Sequence, residues 1–174
     1  MIKFGSIFGS KKDSSGETAL DKKDLAERKA LARNTGTSKE VLSQLASDKD
    51  GEIRREVAHN KNASAEILEK LSSDDEWKVR YEIARNHNTP SAIVERLCTD
   101  SEWRVREGVA WNEKASVGIL EKLALDRREV RYAVLMNKHV SIKLVKQIEL
   151  ENEREDIERR KIEAQEPKWP RGRK

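Results

Sequence analysis

The 174-residue chain is long enough for one ordinary domain or one short repeat array, and with 39% of its residues charged it lacks the apolar material for a large single core. Its net charge of +4 resides in Lys168, Arg171, Arg173 and Lys174, with no acid among residues 167 to 174, so residues 1 to 166 sum to zero and offer no basic excess for a nonspecific grip on nucleic acid. No stretch approaches the roughly 20 apolar residues of a membrane-spanning helix, the first residues lack the continuous apolar run of a secretory signal, and the lone Cys98 cannot form an internal disulfide, which together point to a soluble cytoplasmic protein.

In chain order, residues 1 to 20 read as a disordered segment with Phe4, Ile7 and Phe8 as its candidates for docking on a partner or a membrane surface. Residues 21 to 150 form a repeat array. A degenerate first unit shows in Leu31-Ala32-Arg33-Asn34 and Val41-Leu42, and four clear units follow, set by Leu45, Leu71, Leu97 and Leu123 at a spacing of 26. Three residues after each leucine stands Asp48, Asp74, Asp100 or Asp126. Next come Ile53-Arg54, Val79-Arg80, Val105-Arg106 and Val130-Arg131, the last one residue early through a deletion. Val57-Ala58, Ile83-Ala84, Val109-Ala110 and Val134-Leu135 follow one helical turn on, then Asn60, Asn86, Asn112 and Asn137.

Each unit predicts two short helices. Ile67, Leu68 and Leu71 share one helical face, and Thr89-Pro90 at the start of the equivalent helix reads as an N-cap followed by proline at the first helical position. The recurring aspartate is placed to cap the second helix, whose apolar residues are four apart. The recurring asparagine tolerates the left-handed conformation in which many helices end. Four or five aliphatics buried per unit, at roughly 1.5 to 3 kcal/mol each, sustain stacked units but not one alone. Residues 151 to 166 then read as a charged capping helix with pairs such as Glu155–Arg159, and residues 167 to 174 as a disordered basic tail.

The order Val-Arg-x-x-Val-Ala-x-Asn, then Thr-Pro, then Leu-x-x-Leu-small-x-Asp resembles the leucine-rich repeat variant family, a relative of HEAT and armadillo repeats, over roughly residues 25 to 150. The resemblance implies an all-α, right-handed α-solenoid with the second helices lining the concave side. The iron–sulfur cluster of the family's founding member is not carried over, because no cysteine precedes the repeats here. The family name implies a fold and leaves function open.

The arginines Arg54, Arg80, Arg106 and Arg131 read either as a ladder of phosphate contacts or, the favoured reading, as partners of the aspartates in their own or the adjacent unit. Trp77, Tyr81, Trp103, Trp111 and Tyr132 are the aromatics of the array, and all five fall on the second helices in registers four apart. That stripe lies opposite the Val79 and Ile83 seam and shares its face with Arg55, His59, Lys78, Arg85, Arg104 and Glu107. Rings interleaved with cations suit a protein or peptide segment, or alternatively nucleic-acid bases, with Arg55, Lys78, Arg85 and Arg104 as the contributing cations. Rings packed sideways between neighbouring helices are the competing account. Balanced charge favours protein over nucleic acid as the partner, with no membrane partner, metal or cofactor.

Nothing marks a catalytic centre. His59, His87 and His139 are dispersed, and Cys98 aligns with Ala46, Ser72 and Ala124 as a small core residue rather than a nucleophile. HEAT-like DNA glycosylases use Trp, Arg and Asp on a concave face, but no lone carboxylate is identifiable at the centre of this stripe. The expected function is therefore a non-catalytic binding scaffold.

Overall fold

The computed structural model of the chain describes Leu20 and residues 23–165. The disordered tail expected over 167 to 174 lies outside these residues, as does the first segment except for Leu20, which is buried against the core. The described residues form ten α-helices and no strand: α1 (Leu25–Arg33), α2 (Lys39–Leu45), α3 (Gly51–His59), α4 (Ala65–Leu71), α5 (Trp77–Arg85), α6 (Ser91–Leu97), α7 (Trp103–Trp111), α8 (Val117–Leu123), α9 (Arg128–Met136) and α10 (Ile142–Gln165). The even-numbered helices α2 to α8 begin at residues 39, 65, 91 and 117, a constant step of 26, and have seven residues each. The odd-numbered ones have nine.

Helix α10 begins where a further seven-residue helix is due but runs for 24 residues without a break, so the boundary expected at residue 150 falls inside one helix. The repeat's terminating signal explains this. Ala46, Ser72, Cys98 and Ala124 close the short helices and an aspartate follows two residues on, whereas Glu149 and Glu151 occupy those registers in α10 and favour continued helix.

Successive nine-residue helices pack directly on one another through the array, while successive seven-residue helices scarcely touch and leave a polar cleft of about 650 Å³ between α2 and α4, lined by residues such as Lys39, Gln44 and Lys70. A stack that is tighter on one side bends toward that side, which places the nine-residue helices on its inner face. One continuous core of Leu, Ile, Val and Ala runs between the two layers, with Leu42, Leu45, Ile53, Leu68, Ile83, Ile93 and Leu120 among its fully buried members. No described helix is long and apolar enough to cross a membrane.

Two polar ladders tie the units together. Arg54 donates to Asp74 of the next unit through Nε–Oδ2 at 2.6 Å and Nη2–Oδ1 at 2.9 Å, and its Nη1 donates to the Asp48 carbonyl of its own unit at 2.9 Å. Arg80–Asp100 and Arg106–Asp126 repeat the pattern, and Arg28–Asp48 begins it in the degenerate unit. The arginines are thus structural, in line with the favoured reading. Arg131, nearly fully buried, ends the ladder on Asn152 at 3.0 Å and on Glu155, both from α10.

The aspartates are not the caps of the nine-residue helices. Asp74 and Asp100 accept the backbone N–H two residues on, at 3.0 and 2.9 Å, and Glu76 and Glu102 occupy the cap positions. The carboxylate has turned toward the arginine, and a charge-assisted bidentate pair outweighs a cap. The asparagines also differ from expectation: Asn60, Asn86, Asn112 and Asn137 have extended rather than left-handed backbones. Their side chains form the second ladder. Asn86 Nδ2 donates to the carbonyls of Ala58 and Asn60 at the end of the preceding nine-residue helix, at 2.7 and 3.2 Å, and Asn112 does the same to Ala84 and Asn86. Each asparagine therefore satisfies the alanine carbonyl that the previous helix leaves orphaned, and adds a bond to the asparagine carbonyl, which also accepts a turn N–H. Thr89 is likewise not a cap: Pro90 holds that position, and the buried Thr89 hydroxyl donates to the Ile83 carbonyl at 2.7 Å. Every buried side-chain polar atom of the described residues has a partner.

Candidate partner-binding face

The five nine-residue helices present three rows along the inner face. Their first residues are Leu25, Gly51, Trp77, Trp103 and Arg128; one turn later stand Lys29, Arg55, Tyr81, Glu107 and Tyr132; a further turn brings Arg33, His59, Arg85, Trp111 and Met136. Sequence thus places cations at the N-terminal end of the face and rings at its centre and C-terminal end.

At the centre, Trp77, Tyr81 and Trp103 with Arg55, Lys78, Glu82, Arg104 and Glu107 line one groove of about 370 Å³. The three rings are half-buried and pack against the core even as they line a surface. Trp77 and Tyr81 meet edge to face, with centroids 6.4 Å apart. Gly108 makes room for this arrangement, since a Cβ there would come within 3.1 Å of the Ala84 Cβ and 3.2 Å of the Tyr81 ring. Trp111 and Tyr132 do not line the groove. They stand 39% and 56% exposed, and Met136, in the register of Trp111 on the next nine-residue helix, is 52% exposed.

The cations are stacked on the rings. Arg104 lies over both Trp77 and Trp103, 5.1 and 4.5 Å from their centroids, and Arg127 lies over Trp103 at 4.3 Å. Arg85 lies over Tyr81 at 5.6 Å and donates to its hydroxyl at 3.0 Å. Such stacking holds a long flexible side chain in one orientation while its N–H edges stay in water. Sequence reasoning named Trp77, Tyr81, Trp103, Arg55, Lys78, Arg104 and Glu107 together, and the groove unites them. It missed Glu82, one helical turn after Lys78, and Arg127, which precedes α9 and so lay outside the helical registers being compared.

Of the carboxylates on the face, Glu52, Glu56 and Glu82 are engaged, while Glu107 in the groove makes no hydrogen bond or ion pair among the described residues. Lys29–Glu52, Arg33–Glu56 and His59–Glu82 span neighbouring helices at 3.4, 2.8 and 2.9 Å. The Arg33 hydrogen bond holds the Glu56 carboxyl below the usual range, against the opposing effect of its burial. Among the described residues no cluster of three or more His, Cys, Asp or Glu is placed to hold a metal. Cys98 is buried, and burial pushes its thiol pKa up.

Compared with protein-family models, with curated proteins and with solved structures, the chain matches nothing.

Proposed function

We propose that the chain is a non-catalytic cytoplasmic binding scaffold that holds a protein or peptide segment in the groove of α5 and α7. The observation that carries this reading is the set of three half-buried rings, Trp77, Tyr81 and Trp103, lining one open groove with Arg104 stacked on two of them. Rigid rings with ring-held cations offer contact area at small entropic cost, which is the chemistry of binding hot spots. The right-handed superhelix and the kinship with leucine-rich repeat variants belong to the same proposal, supported by the helix pairs that recur every 26 residues.

Nucleic acid is the second reading, because tryptophan beside stacked arginine also suits bases. The ion pairs weigh against it: Arg55 is held by Glu52 and Glu56, Arg104 by Glu102, and Arg127 by Glu129. Titrating the full chain and a chain ending at Glu166 with synthetic peptides and with single-stranded and duplex oligonucleotides, read by tryptophan fluorescence at low and physiological salt, separates the two. The proposal expects peptide binding that survives physiological salt in both chains. Saturable oligonucleotide quenching that survives physiological salt, without a peptide response, would replace it with the second reading.

A further inference from the structure

Three side-chain pairs that cross between nine-residue helices on the inner face obey a rule, and the rule breaks at the groove. Lys29–Glu52, Arg33–Glu56 and His59–Glu82 each join residues 23 apart on successive nine-residue helices. At the same offset Arg55 meets not an acid but Lys78, and Arg85 meets Gly108. The carboxylates that the pattern calls for are replaced by a cation in one row and by a residue without a side chain in the other. As a result Lys78 makes no hydrogen bond or ion pair among the described residues, and Arg85 has only the Tyr81 hydroxyl and ring. Both side chains are exposed, and they flank the half-buried Tyr81. The packing that Gly108 gives Tyr81 would be lost with any larger residue there, so ring and missing acid come as one arrangement.

From this we infer that the partner supplies a carboxylate to the two cations left without one, Lys78 and Arg85: the groove takes a peptide segment in which an acidic side chain lies within a few residues of an aromatic or aliphatic one. The acid pairs with Lys78, which lines the groove, and with Arg85, which stands outside its lining one helical turn past Tyr81, and the apolar side chain lies on the rings of Trp77, Tyr81 and Trp103. This rests on the proposed peptide-binding role of the face and adds the chemistry of the peptide. Phosphate would satisfy the same cations, but the exposed ring surface between them calls for a neighbouring apolar side chain, which a peptide places there with ordinary spacing.

The test is an array of synthetic 12-residue peptides whose acidic and aromatic contents vary independently, probed with the full chain at physiological salt. Probes are the wild type, Lys78→Glu with Arg85→Glu, Lys78→Met, Trp103→Ala, and Lys122→Glu on the opposite layer as a control. The inference predicts enrichment of peptides that combine the two features. It also predicts at least a tenfold loss in the double charge reversal, a smaller loss in Lys78→Met, and no change in Lys122→Glu. Circular dichroism confirms the fold of each variant. Enrichment of uncharged aromatic peptides that is lost in Trp103→Ala but not in the charge reversal overturns the inference and leaves the peptide-binding role standing. Binding of no peptide, or of single-stranded oligonucleotide alone, overturns both.

Discussion

Asn86 and Asn112 stand at the same register of successive units, and the Nδ2 of Asn112 donates to the backbone carbonyl of Asn86 at 3.3 Å and to that of Ala84 at 2.6 Å. Each unit thereby closes the helix end of its predecessor, and Asn112 Oδ1 completes the link by accepting the Lys114 N–H at 2.8 Å. Replacing Asn112 by aspartate keeps that acceptor but turns a carboxylate toward two carbonyls in a buried site. The expected cost in urea denaturation at neutral pH is about 2 to 3 kcal/mol, at least as large as that of Asn112→Ala, and it shrinks as the pH is lowered and the aspartate protonates.

The Arg80–Asp100 pair predicts an asymmetric pattern of loss. Arg80→Ala strands a nearly buried carboxylate and is expected to cost about 3 kcal/mol. An Arg80→Met, Asp100→Leu double substitution removes both charges and regains part of that stability. If the double variant is no more stable than Arg80→Ala, the pair does more than neutralise itself.

Acid sensitivity follows from the same ladder. Burial works to raise the carboxyls of Asp74, Asp100 and Asp126, but the arginine and backbone N–H hydrogen bonds outweigh it and hold all three below their usual value. A carboxyl so lowered binds fewer protons in the fold than in the unfolded chain. Its contribution is therefore complete above the unfolded value of about 3.9 and is lost as pH falls through the folded one. Urea midpoints measured from pH 7 down to pH 2.5 should stay level until about pH 4 to 5 and then drop, with a smaller drop in the Arg80→Met, Asp100→Leu variant.

Removing α10 beyond Ile148 takes away Asn152 and Glu155, the partners of the nearly buried Arg131, and Asp156, the partner of Arg128. Native-state hydrogen exchange should then show α9 opening first, while α3 and α5 keep most of their protection, because each unit depends mainly on its neighbours. Uniform loss of protection would mean that the array unfolds as one cooperative body.

Much of this fold was legible because the repeat states each structural role several times. Leu71 and Ile83 declare a core seam by recurring, and so do Arg80 and Asp100 as partners. What a pattern of residue types does not contain is the direction of a side chain. The aspartates and asparagines look like terminal residues of helices in sequence, yet their side chains reach across to the neighbouring unit, at separations of 20 and 25 to 28 residues. The candidate face was legible in the same measure: Trp77, Tyr81, Trp103, Lys78 and Arg104 could be grouped by register. That Tyr81 would be half-buried depended on the space Gly108 leaves for its ring, which a register comparison of residue types does not show.

The central claim is that α5 and α7 form the binding groove, and indole N–H resonances test it most directly. A titration of the full chain with the best peptide from the array, followed by nitrogen–proton correlation spectra, should shift the Trp77 and Trp103 indoles together with backbone signals of Tyr81 and Lys78. Shifts confined to the cleft between α2 and α4, or to α10, with the Trp77 and Trp103 signals unmoved, would contradict it.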